Sequence, residues 1–279
     1  MTLDGGLGNM MFQYAFALEI ERIKKCKVGF VNSKPTVSEN MNVFTLKQKI
    51  KSRPPPISHL ITGKIRKIMT GAPRLIEEST WAHESAFVSR VNDGQQVVGY
   101  FQSPKYWHNI EAEIRRQFMF DGPFSDFTNS VETEITKNLA VAVHVRRGDY
   151  LKLSHTHHVL GTDYYSHAIA FMEERTKNQA VYFVFSNDLD WAEKHLPIPN
   201  QRKRIVRNLS EGRDFEDLYL MTKCQHHIIA NSSFSWWGAF LASGEGQQVA
   251  APARWFTPPD LNESVANNLY QQNWSVFPS

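Results

Sequence analysis

Residues 139–145 read Leu-Ala-Val-Ala-Val-His-Val, an apolar run of strand length that only His144 interrupts. A strand without polar alternation has both faces buried, as in a parallel sheet covered by helices. Similar strands are predicted at 181–185 and 228–230, and helices at 126–137, 215–224 and 235–242. Because strands alternate with helices, the sequence predicts an α/β fold with a parallel sheet.

The size and charge of the chain restrict its organisation and partners. A chain of 279 residues is near the length at which one core divides in two, so we expect two domains. Asp121-Gly122-Pro123 is a chain reversal that places the boundary between domains 1–121 and 122–279. The net charge of +3 is too small to indicate nucleic acid, although an anionic small molecule suits it. Cys26 and Cys224 cannot build a disulfide framework.

No run of about 18 apolar residues occurs, so the sequence predicts a protein without a membrane span, and we expect a cytoplasmic location. A basic stretch between residues 33 and 75 surrounds three consecutive prolines, Pro54 to Pro56. It is either a solvated surface, the usual role of such charge runs, or a patch that meets a membrane or an acidic glycan. The second alternative would make the protein peripheral at the inner face of a membrane.

Three glycines within residues 4–9, the segment Asp-Gly-Gly-Leu-Gly-Asn, predict a loop, and apolar spacing predicts a helix over 10–25. The loop is neither G-x-G-x-x-G nor a P-loop, which disfavours hydride transfer and kinase chemistry.

Arg146 and Arg147 follow the 139–145 strand directly. Ligands of open α/β sheets bind at the carboxyl ends of strands, and guanidinium groups match phosphate oxygens in two-pronged geometry. Either arginine is therefore a candidate diphosphate clamp. The alternative is an arginine pair that bridges surface carboxylates, for which Asp149 is a suitable partner.

Two further polar segments follow predicted strands. Ser232, Ser233 and Ser235 lie where a helix begins, and free amides at a helix N-terminus bind anions. The alternative is a plain helix cap over a tryptophan-rich core. Two adjacent tryptophans cannot both face one side of a helix, so we expect one to pack inward and the other to approach a sugar ring. Asp188 follows the 181–185 strand, where a carboxylate could accept hydrogen bonds from a purine; D-x-D over 188–190 is weak evidence for a metal.

The histidines are interpreted as structural. His155, His157 and His158 have no cysteine or carboxylate at a spacing that suits zinc, so a solvated loop is the preferred interpretation. His226 and His227 are expected to lie beside the sheet.

Taken in order, these motifs resemble the GDP-fucose-dependent α-1,2-fucosyltransferases of glycosyltransferase family 11. The resemblance covers nearly the whole chain outside residues 33–95. It rests on residues 5–9 with 12–15, Gly-Tyr-Phe-Gln-Ser at 99–103, His-Val-Arg-Arg-Gly-Asp-Tyr at 144–150, Phe-Ser-Asn-Asp at 185–188, Asp-Leu-Tyr-Leu-Met at 217–221 and Asn-Ser-Ser-Phe-Ser-Trp-Trp-Gly at 231–238. Met10 stands where the family usually has glutamine, and the few residues before the loop predict a short or missing first strand.

The resemblance implies a GT-B-type α/β architecture of two Rossmann-like domains facing a cleft, with the acceptor on the N-terminal domain and GDP-fucose on the C-terminal domain. It implies inverting transfer of L-fucose to the 2-hydroxyl of a terminal β-galactoside, without a metal or other cofactor. The implied catalytic residues are Arg146 at the β-phosphate, His144 towards the nucleoside and Asp149 as a base or a strut. Implied donor-binding residues are Gly8, Asn9, Arg147, Ser186, Asn187, Asp188, Asn231, Ser232, Ser233 and Ser235; Gln13 and Trp237 are implied acceptor contacts.

Two other functions stay open at this point. One is an enzyme that acts on the GDP-sugar itself, such as a hydrolase or epimerase, for which the sequence has no catalytic carboxylate pair or nicotinamide signature. The other is a non-catalytic glycan-binding module that uses the many aromatic residues. A diphosphate clamp argues against such a module, because a lectin does not need one.

Overall fold

The computed structural model describes residues 1–32, 40–50, 74–208, 212–242 and 244–279, apart from the side chain of Asn267. The chain divides into two compact units, Met1–Asp121 and Gly122–Ser279. Most of the basic stretch between residues 33 and 75, including its three prolines, lies outside the described residues. Within the described ranges, no helix is both long and apolar enough to cross a membrane.

The second unit is built on a six-stranded sheet in which every pair of neighbours is parallel. Its strands are β5 (Ala140–Val145), β6 (Val181–Ser186), β7 (Lys203–Ile205), β8 (His226–Ile228), β9 (Val249–Pro252) and β10 (Ser275–Phe277). Their order in the sheet is β7-β6-β5-β8-β9-β10, the strand order of a doubly wound Rossmann fold. Each residue of β5 is buried, as its apolar sequence predicts.

Helices cover both faces of this sheet. They are α4 (Asp126–Thr136), α5 (Thr162–Thr176), α6 (Leu189–His195), α7 (Asp214–Lys223), α8 (Ser233–Leu241) and α9 (Pro259–Leu269). Val141, Val143 and Val145 of β5 face α5 and α6 in one apolar core. On the opposite face, His227 of β8 contacts the Met221 carbonyl oxygen of α7 through Nε2 at 2.9 Å. The alternation of β5 thus points its even-numbered residues, including His144, towards α7 and α8.

The first unit contains two parallel strand pairs. β1 (Thr2–Leu3) pairs with β2 (Val31–Asn32), and β3 (Arg74–Glu77) pairs with β4 (Gln95–Val98). The predicted short first strand is therefore present as two residues. The helices are α1 (Leu7–Lys24), α2 (Phe87–Arg90) and α3 (Glu111–Gln117).

The helix α1 begins earlier than the sequence predicts. The amides of Asn9 and Met10 donate to the Gly6 carbonyl oxygen at 3.0 and 3.1 Å, so the second half of the predicted loop is already the first turn of the helix. Gly8 and Asn9 consequently lie on a helix and not in a loop. Aromatic packing holds α1 in the core, where Phe16 stacks on Phe101 with 4.1 Å between ring centroids.

Candidate functional site

The strand order identifies one place in the second unit where a ligand can enter the sheet edge. From β5 the chain adds β6 and β7 on one side of the sheet and then β8, β9 and β10 on the other side. The strand order therefore reverses between β5 and β8, which flank the topological switch point. Ligands of open α/β sheets bind in the crevice outside the carboxyl ends at this point. Residues 146–150 follow β5 and residues 229–235 follow β8, so both predicted anion-binding segments lie here.

Arg146 is the more open of the two arginines. Its Nη2 donates to Asp149 Oδ2 at 2.8 Å, its guanidinium carbon lies 5.6 Å from the centre of the Tyr150 ring, and 34% of its side chain is exposed. Its Nε is buried without a hydrogen-bond partner among the described residues. A guanidinium has five N–H donors, so Arg146 retains donors for an anion.

Arg147 points to the opposite face and is held by the protein. Its Nη1 donates to the Leu160 carbonyl oxygen at 3.1 Å, its Nε lies 3.5 Å from Asp188 Oδ2, and its guanidinium carbon lies 4.1 Å from the Trp191 ring centre. Only 15% of the side chain is exposed. In this arrangement Arg147 ties α6 to the loop after β5, although the sequence makes the two arginines equivalent candidates for the clamp.

Asp149 is engaged at both carboxylate oxygens. Oδ2 accepts from Arg146, and Oδ1 accepts from Asn187 Nδ2 at 3.0 Å. Desolvation raises the pKa of Asp149, but the hydrogen bond and charge of Arg146, with the bond from Asn187, outweigh it and hold the pKa below its ordinary value. The geometry is that of a strut that orients Arg146, the second of the two roles that the resemblance allows.

Asn187 joins the loops after β5 and β6. Its Oδ1 accepts from the amides of Arg147 at 3.0 Å and Gly148 at 3.2 Å. A Cβ on Gly148 would lie 3.0 Å from Asn187 Nδ2, which explains why a residue without a side chain occupies this position. The expected donor contact Asn187 is therefore a brace of the loop that carries Arg146.

His144 is buried on the face of β5 that α8 covers, with its ring centre 5.8 Å from that of Phe234. Burial, with a further contribution from the charge of Arg146, lowers the pKa of His144 to about 3. The imidazole is consequently neutral at physiological pH. Its Nδ1 has no hydrogen-bond partner within the described part of the chain.

The start of α8 contributes backbone amides more clearly than hydroxyl groups. Ser232 is the N-cap residue and Ser233 begins the helix. The Ser235 hydroxyl is buried and donates to the carbonyl oxygens of Ser232 at 3.3 Å and Ala230 at 3.4 Å, so it serves its own loop. The amides of the first turn lie at the positive end of the helix dipole, which is suited to an anion.

Asn231 braces this helix start. Its Nδ2 donates to the carbonyl oxygens of His158 at 2.7 Å and Trp255 at 2.8 Å, and the side chain is fully buried. Its Oδ1 has no hydrogen-bond partner among the described residues.

The structure places Trp237 and Gln13 differently from the expected acceptor contacts. Trp236 and Trp237 are both 0% exposed and form an edge-to-face pair, so Trp237 has no ring face available to a sugar. Gln13 is buried, accepts from the Asp4 amide and donates to the Gly99 carbonyl oxygen, each at 2.9 Å. Both side chains are covered by their neighbours in the protein, so in this structure they support the fold.

The residues after β6 line a shallow pocket of about 350 Å³ formed by Ser186, Asn187, Asp188, Leu189, Asp190 and Arg207. Asp188 caps α6, accepting from the Trp191 amide at 3.3 Å, and Ser186 Oγ accepts from the Asp188 amide at 2.8 Å. Asp188 therefore carries two structural contacts, to α6 and to Arg147. Among the described residues, no group of three histidine, cysteine or acidic side chains is placed to hold a metal ion.

Two residues near this edge received no role from the sequence. Tyr150 is buried between Arg146 and His157, whose ring is stacked on it at 4.5 Å, so His157 is a packing residue. Asp217 of α7 has a pKa that burial raises to about 7, against the hydrogen bond from Asn208. Both residues lie in the motifs quoted above, but only their burial distinguishes them from their neighbours. Burial at these positions is known from the structure and not from the sequence.

Known proteins are similar to this chain over nearly its whole length. The family model described as Glycosyl transferase family 11 matches residues 1–277. The alpha-1,2-colitosyltransferase of Escherichia coli is 29% identical over 93% of this chain and 93% of its own. The O-antigen biosynthesis glycosyltransferase WbnK of Escherichia coli is 31% identical over 91% of this chain and 93% of its own.

Among solved structures, a mutant of Arabidopsis thaliana FUT1 in complex with GDP matches with a TM-score of 0.51. Its sequence is 11% identical to this chain, and the match covers 93% of this chain and 71% of that one. At this identity the likeness concerns the fold alone. It confirms, with the parallel six-stranded sheet, the GT-B-type α/β class that the sequence predicts.

Proposed function

Because this chain is a member of glycosyltransferase family 11, and hence an enzyme that transfers a glycosyl group, we propose that it moves L-fucose from GDP-fucose to the 2-hydroxyl of a terminal β-galactoside. The relative named alpha-1,2-colitosyltransferase supports the α-1,2 linkage. The FUT1 structure, which shares the fold, is a complex with GDP, and a guanosine diphosphate is the donor carrier that we propose here. The galactoside acceptor comes from the resemblance of the motifs.

One observation carries this proposal above all. Arg146, with guanidinium donors to spare, and the amide-bearing start of α8 lie at the carboxyl ends of the two strands that flank the switch point. Both groups favour an oxyanion, and together they suit a diphosphate better than a single charge. A glycan-binding module has no use for such a pair.

The chemistry needs a group that stabilises the leaving diphosphate. In the proposed reaction the acceptor oxygen attacks C1 of fucose while the bond from C1 to the β-phosphate oxygen breaks on the opposite face, which inverts the configuration. The transition state resembles an oxocarbenium ion, so negative charge gathers on the β-phosphate. Arg146 and the α8 amides are already oriented, and such donors stabilise developing charge without reorganisation.

Neither Asp149 nor His144 suits the role of base for the acceptor proton, and late transfer of that proton to the leaving phosphate or to water needs no base. Asp149 is paired at both oxygens with a lowered pKa, and the neutral imidazole of His144 has a pKa of about 3. Neither group matches the near-neutral pKa that general base catalysis favours. We therefore assign Asp149 to the support of Arg146.

The identity of the transferred sugar has one specific alternative. The relative named alpha-1,2-colitosyltransferase is similar over nearly the whole chain, so a colitosyl group is the second candidate. A fucosyl donor and a colitosyl donor would use the same phosphate-binding residues and would differ only in the sugar.

The test is a transfer assay with GDP-fucose and a panel of β-galactosides in excess EDTA, followed by NMR of the product linkage. We expect an α-1,2-linked fucoside without added metal, because Arg146 and the helix amides supply the positive charge. Product from a colitosyl donor but none from GDP-fucose would select the alternative sugar. Binding of β-galactosides without binding of GDP would instead support the glycan-binding module.

A further inference from the structure

Glu78 follows the last residue of β3 and contacts the turn at residues 99–102. Its Oε2 accepts hydrogen bonds from the backbone amides of Tyr100 at 2.7 Å and Phe101 at 3.1 Å. Its Oε1 is buried without a hydrogen-bond partner within the described ranges. Neither the phosphate-binding residues nor the proposed transfer step involves this carboxylate.

The 99–102 turn has an unfavourable backbone. Phe101 has φ of 50° and Gly99 has φ of 154°. A residue with a side chain in the left-handed region costs of order 1–3 kcal/mol and persists only where its surroundings impose it. A Cβ on Gly99 would lie 2.5 Å from Glu78 Cβ, so glycine also permits the close approach of the carboxylate. The turn therefore depends on interactions from outside, of which Glu78 supplies two.

The same turn holds the helix start that carries Asn9. Gln102 Nε2 donates to Asn9 Oδ1 at 2.8 Å, and the Gly99 carbonyl oxygen accepts from Gln13 Nε2 at 2.9 Å. Gln13 in turn accepts from the Asp4 amide, which fixes the chain before α1. The position of Asn9, an expected donor contact, is thus linked through Gln102 to the turn that Glu78 braces.

We propose that Glu78 is a positioning residue for the transfer reaction, whose carboxylate holds the 99–102 turn in the conformation in which Gln102 fixes Asn9. This inference rests on the proposed function, because Asn9 is a donor contact only in that reaction. Glu78 acts through the backbone of the turn and need not touch either substrate.

The charge of Glu78 is poised to change near neutral pH. Burial raises the pKa of Glu78 to about 7, the bonds from Phe101 and Tyr100 oppose this rise, and the charge of Glu84 adds to it. Tyr100 and Tyr106 face the same carboxylate, Asp4 lies near Tyr100, and Arg90 pairs with Glu84. A raised pKa means that the folded turn retains a proton that Glu78 would lose on exposure to water, so the turn is held most firmly below about 7 and is weakened as pH rises through that value.

The experiment compares the wild type with Glu78→Gln, which keeps an oxygen for both amides but cannot ionise. Glu77→Gln, at the exposed neighbouring carboxylate, is the matched control. We expect the amide NMR signals of Tyr100 and Phe101 to titrate with a midpoint near 7 in the wild type and the control. In Glu78→Gln this titration should disappear.

Transfer activity gives the second readout. In the wild type, kcat/KM should fall as pH rises through the same range, because ionisation of Glu78 weakens the turn. Glu78→Gln cannot ionise, so it should lack this fall and should keep at alkaline pH the kcat/KM that it has at low pH.

The proposal is overturned if both amide signals titrate equally in Glu78→Gln, or if that variant keeps the full pH dependence of the wild type. Failure of the proposed function is a separate result, since a wild type that makes no product contradicts that function alone. In that case the amide titration still decides whether Glu78 braces the turn.

Discussion

The Tyr150 hydroxyl donates a hydrogen bond to the Asn231 carbonyl oxygen at 3.0 Å. This bond joins the loop after β5, which carries Arg146, to the loop after β8, which leads into α8. The Tyr150 ring also lies beneath the Arg146 guanidinium at 5.6 Å. One buried side chain therefore sets the distance between the two groups that we propose as the diphosphate site.

Tyr150→Phe removes this bond and keeps the ring. A hydrogen bond of this kind contributes about 0.5–1.5 kcal/mol, so GDP affinity should fall roughly two- to tenfold. Calorimetric titration of GDP measures the change. The matched control is Tyr182→Phe, whose hydroxyl bonds Glu173 and should affect stability without affecting GDP. An unchanged GDP affinity in Tyr150→Phe would show that the two loops do not need this connection.

Arg146→Lys should be the most damaging conservative change to transfer. Lysine keeps the charge but loses the forked donors, the contact with Asp149 Oδ2 and the position over Tyr150. Loss of one oriented donor at a developing oxyanion costs about 2.7–4 kcal/mol, so kcat should fall roughly 100- to 1,000-fold. Steady-state kinetics at saturating GDP-fucose provide the measurement. A variant with nearly normal kcat would remove Arg146 from the reaction.

The variant Asp149→Asn distinguishes two roles for Asp149, a support of Arg146 and a catalytic base. As a strut, Asp149 keeps the guanidinium of Arg146 in place, so its amide variant should weaken GDP binding and transfer together. As a base it would be dispensable for GDP binding, and transfer alone would collapse. GDP titration and transfer assays on the same preparation distinguish the two roles, and normal GDP binding without transfer would contradict our assignment.

The buried neutral histidines should make the fold sensitive to acid. Burial lowers the pKa of His144 to about 3 and that of His227 to about 4, below the ordinary 6.5. The unfolded chain therefore binds more protons than the folded chain between these values, and stability falls as pH falls below about 6.5. Thermal unfolding at a series of pH values tests this.

His144→Asn should reduce the loss of stability on acidification, and the exposed His155→Asn should leave it unchanged. If His144→Asn has the same pH dependence of unfolding as the wild type, His144 is not a source of the acid sensitivity.

The central strand of the fold could be predicted from the sequence because a strand that is buried on both faces has a nearly continuous apolar run. The run at 139–145 gives β5, and the polar residues that follow give the loop of Arg146. Short strands such as β7 and β10 have no buried residue and no apolar run, so periodicity does not reveal them. The start of α1 was misplaced because glycines indicate a loop even where a helix begins.

The candidate site was predictable as a set of segments and less so as individual roles. Arg146 and Arg147 are adjacent, and only the pleat of β5 decides that Arg147 turns towards Trp191 while Arg146 stays open. A motif also does not reveal which of its side chains are buried in the protein. For this reason Gln13, Ser235 and Trp237 are implied as ligand contacts although all three are buried. Glu78 lies outside every quoted motif.

The most direct measurement is the preference for GDP over GMP in the wild type and in Arg146→Ala, determined by calorimetric titration. If Arg146 holds the β-phosphate, the wild type should bind GDP at least roughly tenfold more tightly than GMP, since a charge-assisted hydrogen bond contributes about 1.5–3 kcal/mol. Arg146→Ala should lose most of this preference and keep its affinity for GMP. An Arg146→Ala variant that retains the wild-type preference would contradict the diphosphate site proposed for this transferase.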